Sequence, residues 1–382
     1  MTNSKAVTLV APFRSATIRA FAVVMCLFVG QQASAMQQRG DTSAAAAGST
    51  LVPLPVIFYQ PETGTGFGGL ATYYVPLSQG RAGRIQPSAF SVIGIYTVKK
   101  QIITYLSADM YLQQGRLRVR SETGYSKFPT KFWGIGNDTR DRAEEDYTPG
   151  SVVLNAEAYR EVSPGWYVGA ALRVAHRELL AVEPGGLLDA GAVDGVADGT
   201  ILGLGVGVTR DTRDNTVAPR AGSFHQVRAV LYDGAIASQY DFATLSLDLR
   251  KYFPTLPHQA VALRAVISGT SGVSPFDLLP QLGGDALLRG YYGGRFRDQD
   301  LWAAQAEYRA LAWWRIGVVG FAEVGQVGAE LKDFAFDRFR TAVGGGLRFL
   351  LSKDEGLNIR ADFGWGLDVK SSGFYLNIGE VF

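Results

Sequence analysis

The sequence predicts an all-β protein: one sixteen-stranded antiparallel transmembrane β-barrel with a long loop folded into it. An N-terminal export signal, repeated alternation of polar and apolar residues, and unequal connections between the alternating segments support this fold. Hydrophobic residues make up 47% of the chain, yet after residue 36 no apolar run approaches the roughly 18 residues that a membrane helix needs. An exported chain of this kind enters a membrane as a closed barrel, because closure pairs every backbone group.

Residues 1–35 have the order of a secretory signal peptide. Three basic residues and no acidic ones accompany an apolar run over residues 20–30, and Ala-Ser-Ala then provides a cleavage site before Met36. Cys26, the only cysteine, lies in the apolar run without the small preceding residue of a lipoprotein, so we expect neither a lipid anchor nor a disulfide. Residues 36–50 are polar and alanine-rich, which predicts a flexible lead, and the barrel is predicted to occupy 51–382.

The charge balance argues against nucleic acid as a partner. Without the three basic residues of the signal peptide, the formal charge falls from +2 to −1, since 34 of the 37 Lys and Arg residues then stand against 35 Asp and Glu residues. The folded part therefore has no basic excess. We expect outer-membrane lipid and lipopolysaccharide to surround it.

Alternation with a period of two residues is clearest in residues 357–367, where apolar side chains alternate with Asn358, Arg360 and Asp362. A secreted β-sandwich is the alternative, but charges on the inner face of strand after strand suit a wet lumen better than a dry core. The glycines of residues 203–207 are interpreted as a strand that leaves room for the inward loop. The sixteen predicted strands are 54–60, 65–76, 85–98, 100–112, 116–127, 149–161, 164–178, 200–211, 221–234, 237–253, 258–270, 300–311, 314–328, 337–351, 356–369 and 371–382.

The connections give an independent test of these strands. The longest gaps are 128–148, 179–199, 271–299 and 329–336, and all four follow odd-numbered strands. Long connections therefore share one end of the predicted barrel, while connections after even-numbered strands are short and turn-like. Bacterial barrels have short turns on the periplasmic side and long loops outside, so both chain ends are predicted to be periplasmic.

Four segments carry a resemblance to a known family. The strongest is residues 283–292, Gly-Gly-Asp-Ala-Leu-Leu-Arg-Gly-Tyr-Tyr, in the long gap before the twelfth strand. The others are the predicted turn within 209–222, the first hairpin at 59–69, and the final strand 373–382 with its aromatic end. The turn motif consists of Asp211, Arg213, Asp214, Pro219 and Gly222, and the C-terminal signal, predicted to share one face of the last strand, consists of Phe374, Leu376, Ile378 and Phe382.

These segments resemble the BamA/TamA-like superfamily of outer-membrane barrels, the bacterial surface antigen family, whose founding members insert or translocate proteins. The resemblance implies that Arg289, Gly290 and Tyr291 form the tip of a loop folded into the lumen. It also implies that Glu307 and Glu323 are the acidic partners of the arginine. A guanidinium held in a narrow lumen requires carboxylate partners, and both glutamates lie on predicted inward faces. The alternative is a glycine-rich surface loop with an exposed arginine.

The function implied by the resemblance is insertion or translocation of protein or lipid at the outer membrane. Members of this family with that function carry periplasmic domains, whereas only about 15 to 18 residues separate the predicted cleavage site from the first strand. We therefore expect client outer-membrane proteins or a separate periplasmic partner, and the sequence leaves open whether another chain supplies periplasmic domains. The predicted seam lies between the last strand and a short first strand bracketed by Pro53, Pro55 and Pro61. A passive pore or a surface-exposed structural barrel is the alternative function.

We predict no catalytic residue, no cofactor and no metal site. Residues 64–69 match the GxGxxG pattern of dinucleotide sites, but they continue as a strand and not as a helix. The three histidines lack metal-ligand spacing, and nothing singles out the nucleophile of a hydrolase. Asp189 and Asp194 in one loop, and Asp298 and Asp300 in another, could bind a divalent cation or lipopolysaccharide bridged by one. Solvated acidic loops are the favoured interpretation.

Overall fold

The structure is a computed structural model that describes residues 49–77, 87–352 and 356–382. The predicted signal peptide and most of the predicted lead lie outside these residues. Thr50, the last residue of that lead, already belongs to the first strand. None of the helices in the described ranges is long and apolar enough to cross a membrane.

Sixteen strands form one closed antiparallel barrel, which confirms the predicted fold class. They follow one another around the barrel in chain order, and each overlaps its predicted segment. A seventeenth strand, β6 (Thr130–Phe132), extends the sheet beside β7, and β13 (Gln281–Leu282) pairs with β14 (Phe296–Arg297) inside a long loop. The barrel strands are β1 (Thr50–Gln60), β2 (Gly64–Val75), β3 (Ser88–Thr97), β4 (Ile102–Leu112), β5 (Leu117–Lys127), β7 (Glu145–Ser163), β8 (Trp166–Val182), β9 (Gly199–Asp211), β10 (Gly222–Tyr232), β11 (Phe242–Pro254), β12 (Gln259–Gly272), β15 (Asp300–Trp313), β16 (Ile316–Gly328), β17 (Arg340–Ser352), β18 (Leu357–Gly366) and β19 (Ser371–Ile378).

The two faces of the barrel wall differ as the alternation predicts. On β9, Val206 projects outward and is 64% exposed, while Gly203 and Gly207 face the lumen. The space beside these two glycines is taken by the rings of Tyr232 and Tyr159, and not by the inward loop as the sequence suggested. Glycine in β9 therefore accommodates large side chains of neighbouring strands.

The long connections 128–144, 183–198, 273–299 and 329–339 lie at one end of the barrel, which we call the loop rim. The opposite end, the turn rim, carries the start of β1, the end of β19 and, apart from the connection between β2 and β3, connections that are shorter than these four. The connection between β2 and β3 is longer than predicted, and its residues 78–86 lie outside the described ranges. By the general rule for bacterial barrels, the turn rim faces the periplasm.

Closure of the barrel depends on a very short contact between its first and last strands. β1 pairs with β2 along its whole length, but with β19 only at Tyr59 and Leu376. The first strand is thus longer than predicted, and it is the closing contact that is short. Pro53 and Pro55 lack the N–H groups that a longer ladder would use. The ring centroids of Tyr59 and Phe374 lie 5.8 Å apart across this seam.

We expect Val206→Arg to lower the free energy of unfolding by about 2–4 kcal/mol, because the outward face at mid-strand meets hydrocarbon. Leu256→Arg is the matched control, since Leu256 is similarly exposed but lies in a turn, where the cost is about 0–1 kcal/mol. Urea titration of the barrel in lipid vesicles measures both values. Equal costs would contradict a lipid-facing β9.

Candidate functional site: the loop tip in the lumen

The connection 273–299, which we call the lumen loop, folds back into the barrel. Apolar burial holds it there, because its own apolar side chains pack against inward-facing residues of four strands. The short β13–β14 pair gives the loop a fixed shape at its base. The buried cluster consists of Leu282, Leu287, Leu288, Tyr291 and Phe296 from the loop with Val266, Leu301, Ala303, Val327 and Ala342 from the wall.

The loop tip lies directly against the backbone of β18. Leu288 has a φ of +67° and Gly290 a φ of +108°, so the chain turns sharply on both sides of Arg289. A Cβ atom on Gly364 would lie 2.7 Å from the Arg289 carbonyl, and one on Gly290 would lie 2.8 Å from the Gly366 nitrogen. Glycine is therefore required on both surfaces for the approach to occur.

Arg289 is completely buried and contacts three carboxylates. Its Nη2 lies 2.5 Å from Glu307 Oε1, its Nε donates to Glu323 Oε1 at 2.7 Å, and its Nη1 donates to Asp362 Oδ2 at 2.8 Å. The backbone N–H of Arg289 also donates to Glu323 Oε2 at 2.6 Å, and the guanidinium lies 3.5 Å from the Phe321 ring centroid. The structure thus brings Arg289 together with both glutamates named from the sequence and adds an aspartate.

Further ion pairs surround Arg289 and its three carboxylates, and their arginines offset the excess negative charge. Arg309 Nη2 lies 2.7 Å from Glu307, and Arg360 Nη1 donates to Asp362 at 3.0 Å. Arg348 also pairs with Asp362. Four arginines and five carboxylates belong to the connected network: Arg289, Arg309, Arg348, Arg360, Asp285, Glu307, Glu323, Asp362 and Glu380.

Gly290 and Tyr291 fix the tip to strands near the seam. The Gly290 N–H donates to the Tyr375 hydroxyl at 3.0 Å, and Tyr375 lies on β19. The Tyr291 hydroxyl donates to the Thr341 carbonyl at 3.0 Å and to Asp368 at 2.9 Å. Each of the three tip residues therefore makes a distinct contact with the barrel wall.

The lumen loop also contacts the other side of the seam. The Gly293 N–H donates to the carboxylate of Glu62, which lies in the hairpin that joins β1 to β2. On the β19 side, Asn377 Nδ2 donates to Asp285 at 3.0 Å. The loop therefore bridges β19 and the β1–β2 hairpin from within. Burial raises the pKa of Glu62 from its ordinary value to about 7, because the buried carboxylate loses hydration.

The turn motif forms a separate cluster at the turn rim. Asp211 and Arg213 make a buried bidentate pair, with bonds of 2.9 Å and 2.6 Å. Asp214 accepts backbone hydrogen bonds from three residues of the turn, and Pro219 is buried beside it. Gly222 has a φ of +95°, and a Cβ there would lie 2.2 Å from the Thr212 carbonyl. These contacts organise the turn between β9 and β10 and do not reach the loop tip.

The C-terminal residues depart from the predicted alternation. Phe374 is exposed, with Leu376 and Ile378 on the same outward face, but β19 ends at Ile378, and Gly379 has a φ of +81° that turns the chain inward. The side chain of Phe382 is therefore buried and does not share the face of Phe374. Its carbonyl accepts a hydrogen bond of 2.9 Å from Arg309.

Glu380 likewise faces inward, although the alternation of the last strand, extended to the chain end, would place it on the outward face with Ile378 and Phe382. Its carboxylate accepts hydrogen bonds from Arg348 Nε at 2.9 Å and from Asn358 Nδ2 at 2.7 Å. The inward turn at Gly379 thus gives a charged residue buried partners in place of a lipid-facing position.

Sequence reasoning missed several residues of the site. The alternation of residues 357–367 placed Asp362 on an inward face, but Asp362 was not assigned to Arg289. Gly364 and Gly366 continue the same face and make the loop's approach possible. Neither the Glu62 nor the Tyr375 contact has a local sequence signal.

The other candidates lie apart from the loop tip. His176 contacts Thr200 and Glu178, and Asp189 and Asp298 accept backbone hydrogen bonds within their own loops. In the described ranges, no group of three or more His, Cys, Asp or Glu residues is arranged to hold a metal ion.

Fold and site together define an outer-membrane β-barrel with a lumenal loop anchored by an arginine. Residues 103–382 match the Omp85 superfamily domain, and the chain belongs to the Omp85 superfamily. This class of barrel indicates the bacterial outer membrane as its location. A comparison with curated protein sequences finds no significant match.

Solved structures of the same fold include BamA from Haemophilus ducreyi lacking POTRA domains 1–3. The TM-score is 0.63 at 13% identity, with 86% of this chain and 70% of that chain covered. CdiB from Acinetobacter baumannii gives a TM-score of 0.56 at 14% identity, and CdiB from Escherichia coli gives 0.59 at 11%. Both matches cover 88% of this chain, but only 61% and 64% of the CdiB chains, less than two thirds of each.

We expect Arg289→Ala to lower the free energy of unfolding by about 3–5 kcal/mol, because it leaves buried carboxylates without their shared partner. Release of the loop tip should also raise the conductance of the barrel in planar bilayers. Arg140→Ala is the control, since Arg140 is exposed in a loop. A variant with wild-type stability and conductance would show that Arg289 does not hold the loop.

A second prediction concerns pH. Glu62 has a pKa of about 7 in the folded state against 4.5 ordinarily, so the native state retains a proton that the unfolded chain loses. Protonated Glu62 therefore raises the free energy of unfolding by up to about 3 kcal/mol. This contribution is complete below about pH 4.5 and is lost as pH rises through about 7. As pH rises from 4 to 8, the urea midpoint of the wild type should fall more than that of Glu62→Gln. Parallel profiles would rule out Glu62 as the titrating group.

Proposed function

We propose that this protein assists the insertion or translocation of protein or lipid at the outer membrane. The observation that carries the proposal is the seam, where Tyr59 and Leu376 are the only paired positions between the first and last strands. The resemblance to a family whose founding members insert or translocate proteins supports it.

The physical basis is the low cost of opening such a seam. Separating β1 from β19 breaks few ladder hydrogen bonds, whereas every other neighbouring pair of barrel strands is joined over many positions. An opened edge presents unpaired N–H and C=O groups, which can pair with an incoming strand. Opening therefore exchanges one strand contact for another at the membrane.

The lumen loop has the role of a latch in this proposal. It contacts Glu62 beside β1 and both Tyr375 and Asn377 on β19, so separation of the seam must break contacts on at least one side. Arg289 holds the loop in place for this purpose. The turn motif and the outward apolar residues Phe374, Leu376 and Ile378 serve assembly of the barrel itself, the latter as its C-terminal signal.

Residues 1–35 act as the export signal in this proposal. Clients are other outer-membrane proteins or lipids, and a separate periplasmic protein delivers them. No cofactor, metal or catalytic residue is required, because strand exchange needs only an open edge.

The proposal is tested by locking the seam with a disulfide. Tyr59→Cys with Leu376→Cys places two cysteines at directly opposed positions, within the span that a disulfide accepts. The control pair, Ile57→Cys with Phe67→Cys, is opposed on β1 and β2 and does not cross the seam. In a strain depleted of the wild type, each variant is expressed, and the outer-membrane proteome is quantified with and without reductant.

We expect the seam disulfide to remove a defined set of outer-membrane proteins, and reductant to restore them. The control pair should behave as wild type. An outer-membrane proteome unchanged by depletion would overturn the proposal and favour a passive pore or a structural barrel. A locked seam that retains full activity would overturn the opening mechanism.

A further inference from the structure

The outer wall of the barrel carries an apolar groove of about 650 Å³. Its floor is formed by four outward-facing alanines on the neighbouring strands β12, β15 and β16. Bulkier residues, among them Leu249, Leu263, Val324 and Val343, flank it. The floor consists of Ala265, Ala304, Ala306 and Ala322.

The groove crosses the strands along one row of opposed residues. The row runs from His225 on β10 through Ala265 and Ala304 to Thr341 on β17. His225 lies near the turn rim and Thr341 near the loop rim, because the strands are staggered. Five strand spacings of about 4.8 Å give a length of about 24 Å, comparable to the apolar band of an outer-membrane barrel.

The end of the groove at the turn rim is basic. His225 and Lys251 line it, and Arg210 lies directly opposite His225 on β9. Arg210 and Lys251 lie 5.6 Å and 5.5 Å from the ring centroids of Trp166 and Phe253, which places the charges among interfacial aromatic residues.

Acidic neighbours do not offset this charge on the membrane side. Every Asp of strands β9 to β12, namely Asp211 and Asp248, is on the lumen face, where each pairs with an arginine, and these strands contain no Glu. His225 Nδ1 is buried and has no hydrogen-bond partner in the described structure. The groove therefore combines an apolar channel with a positively charged end.

We propose that this groove binds an anionic phospholipid of the periplasmic leaflet. Its phosphate lies between Arg210 and Lys251 within reach of His225, and one acyl chain occupies the alanine-floored channel. Charge complementarity and the position of the basic end at the turn rim select a phospholipid over lipopolysaccharide, which occupies the opposite leaflet. The basic end of the site lies on β9 to β11, whereas the contacts of the proposed latch are made by the lumen loop, the β1–β2 hairpin and β19.

Native mass spectrometry of the purified full chain tests the proposal, with dioleoyl-phosphatidylglycerol as the probe. Arg210→Gln with Lys251→Gln should weaken binding about 30-fold, since each charge near the membrane surface contributes about fivefold. Ala304→Trp, which fills the channel, should weaken it at least tenfold, and Ala265→Leu is the milder second variant. Arg315→Gln is the matched control, because Arg315 also stands beside a tryptophan at the turn rim but does not line this groove.

Weaker binding by the charge and channel variants, with Arg315→Gln equal to wild type, supports the site. Wild-type binding by the charge variant, or by both channel variants, overturns it. An equal loss in Arg315→Gln, or stronger binding of lipopolysaccharide than of phosphatidylglycerol, also overturns it. Unchanged urea midpoints establish that each variant is folded.

Discussion

The burial of one guanidinium among three carboxylates is the interaction on which the lumen depends. Arg289 can be buried only because Glu307, Glu323 and Asp362 project inward from three strands, and those carboxylates are tolerated only because Arg289 and its neighbouring arginines offset them. The network therefore fixes the loop and strands β15, β16 and β18 relative to one another. Removal of Arg289, or of its carboxylate partners, leaves a buried charge without a compensating charge.

This rigid centre contrasts with the seam a short distance away. The strands that hold Arg289 are continuously paired, whereas β1 and β19 meet at a single pair of positions. The lumen loop joins the two regions, since its tip belongs to the network and its adjacent residues contact Glu62 and Asn377. A stable anchor can therefore hold a contact that is weak by itself, which is consistent with the seam opening that we propose.

Local periodicity explains why the strands could be predicted and some contacts could not. All sixteen strands follow from alternation, because each strand displays its own pattern of faces. Alternation could not identify Asp362 as a partner of Arg289, since a pattern within one strand does not specify which loop residue reaches it. The inward turn of Phe382 was missed for another reason: the alternation was extended to the last residue, but the positive φ of Gly379 ends it.

The sequence separations within the latch imply an order of folding. Arg289 contacts residues 18, 34 and 73 positions away, whereas Gly293 contacts Glu62 across 231 positions. Contacts with small loop-closure entropy form before distant ones, so the carboxyl-terminal third can assemble around its arginine while the amino-terminal strands are still unattached. The β1–β2 hairpin is then the last element to dock, onto strands and a lumen loop that have already folded.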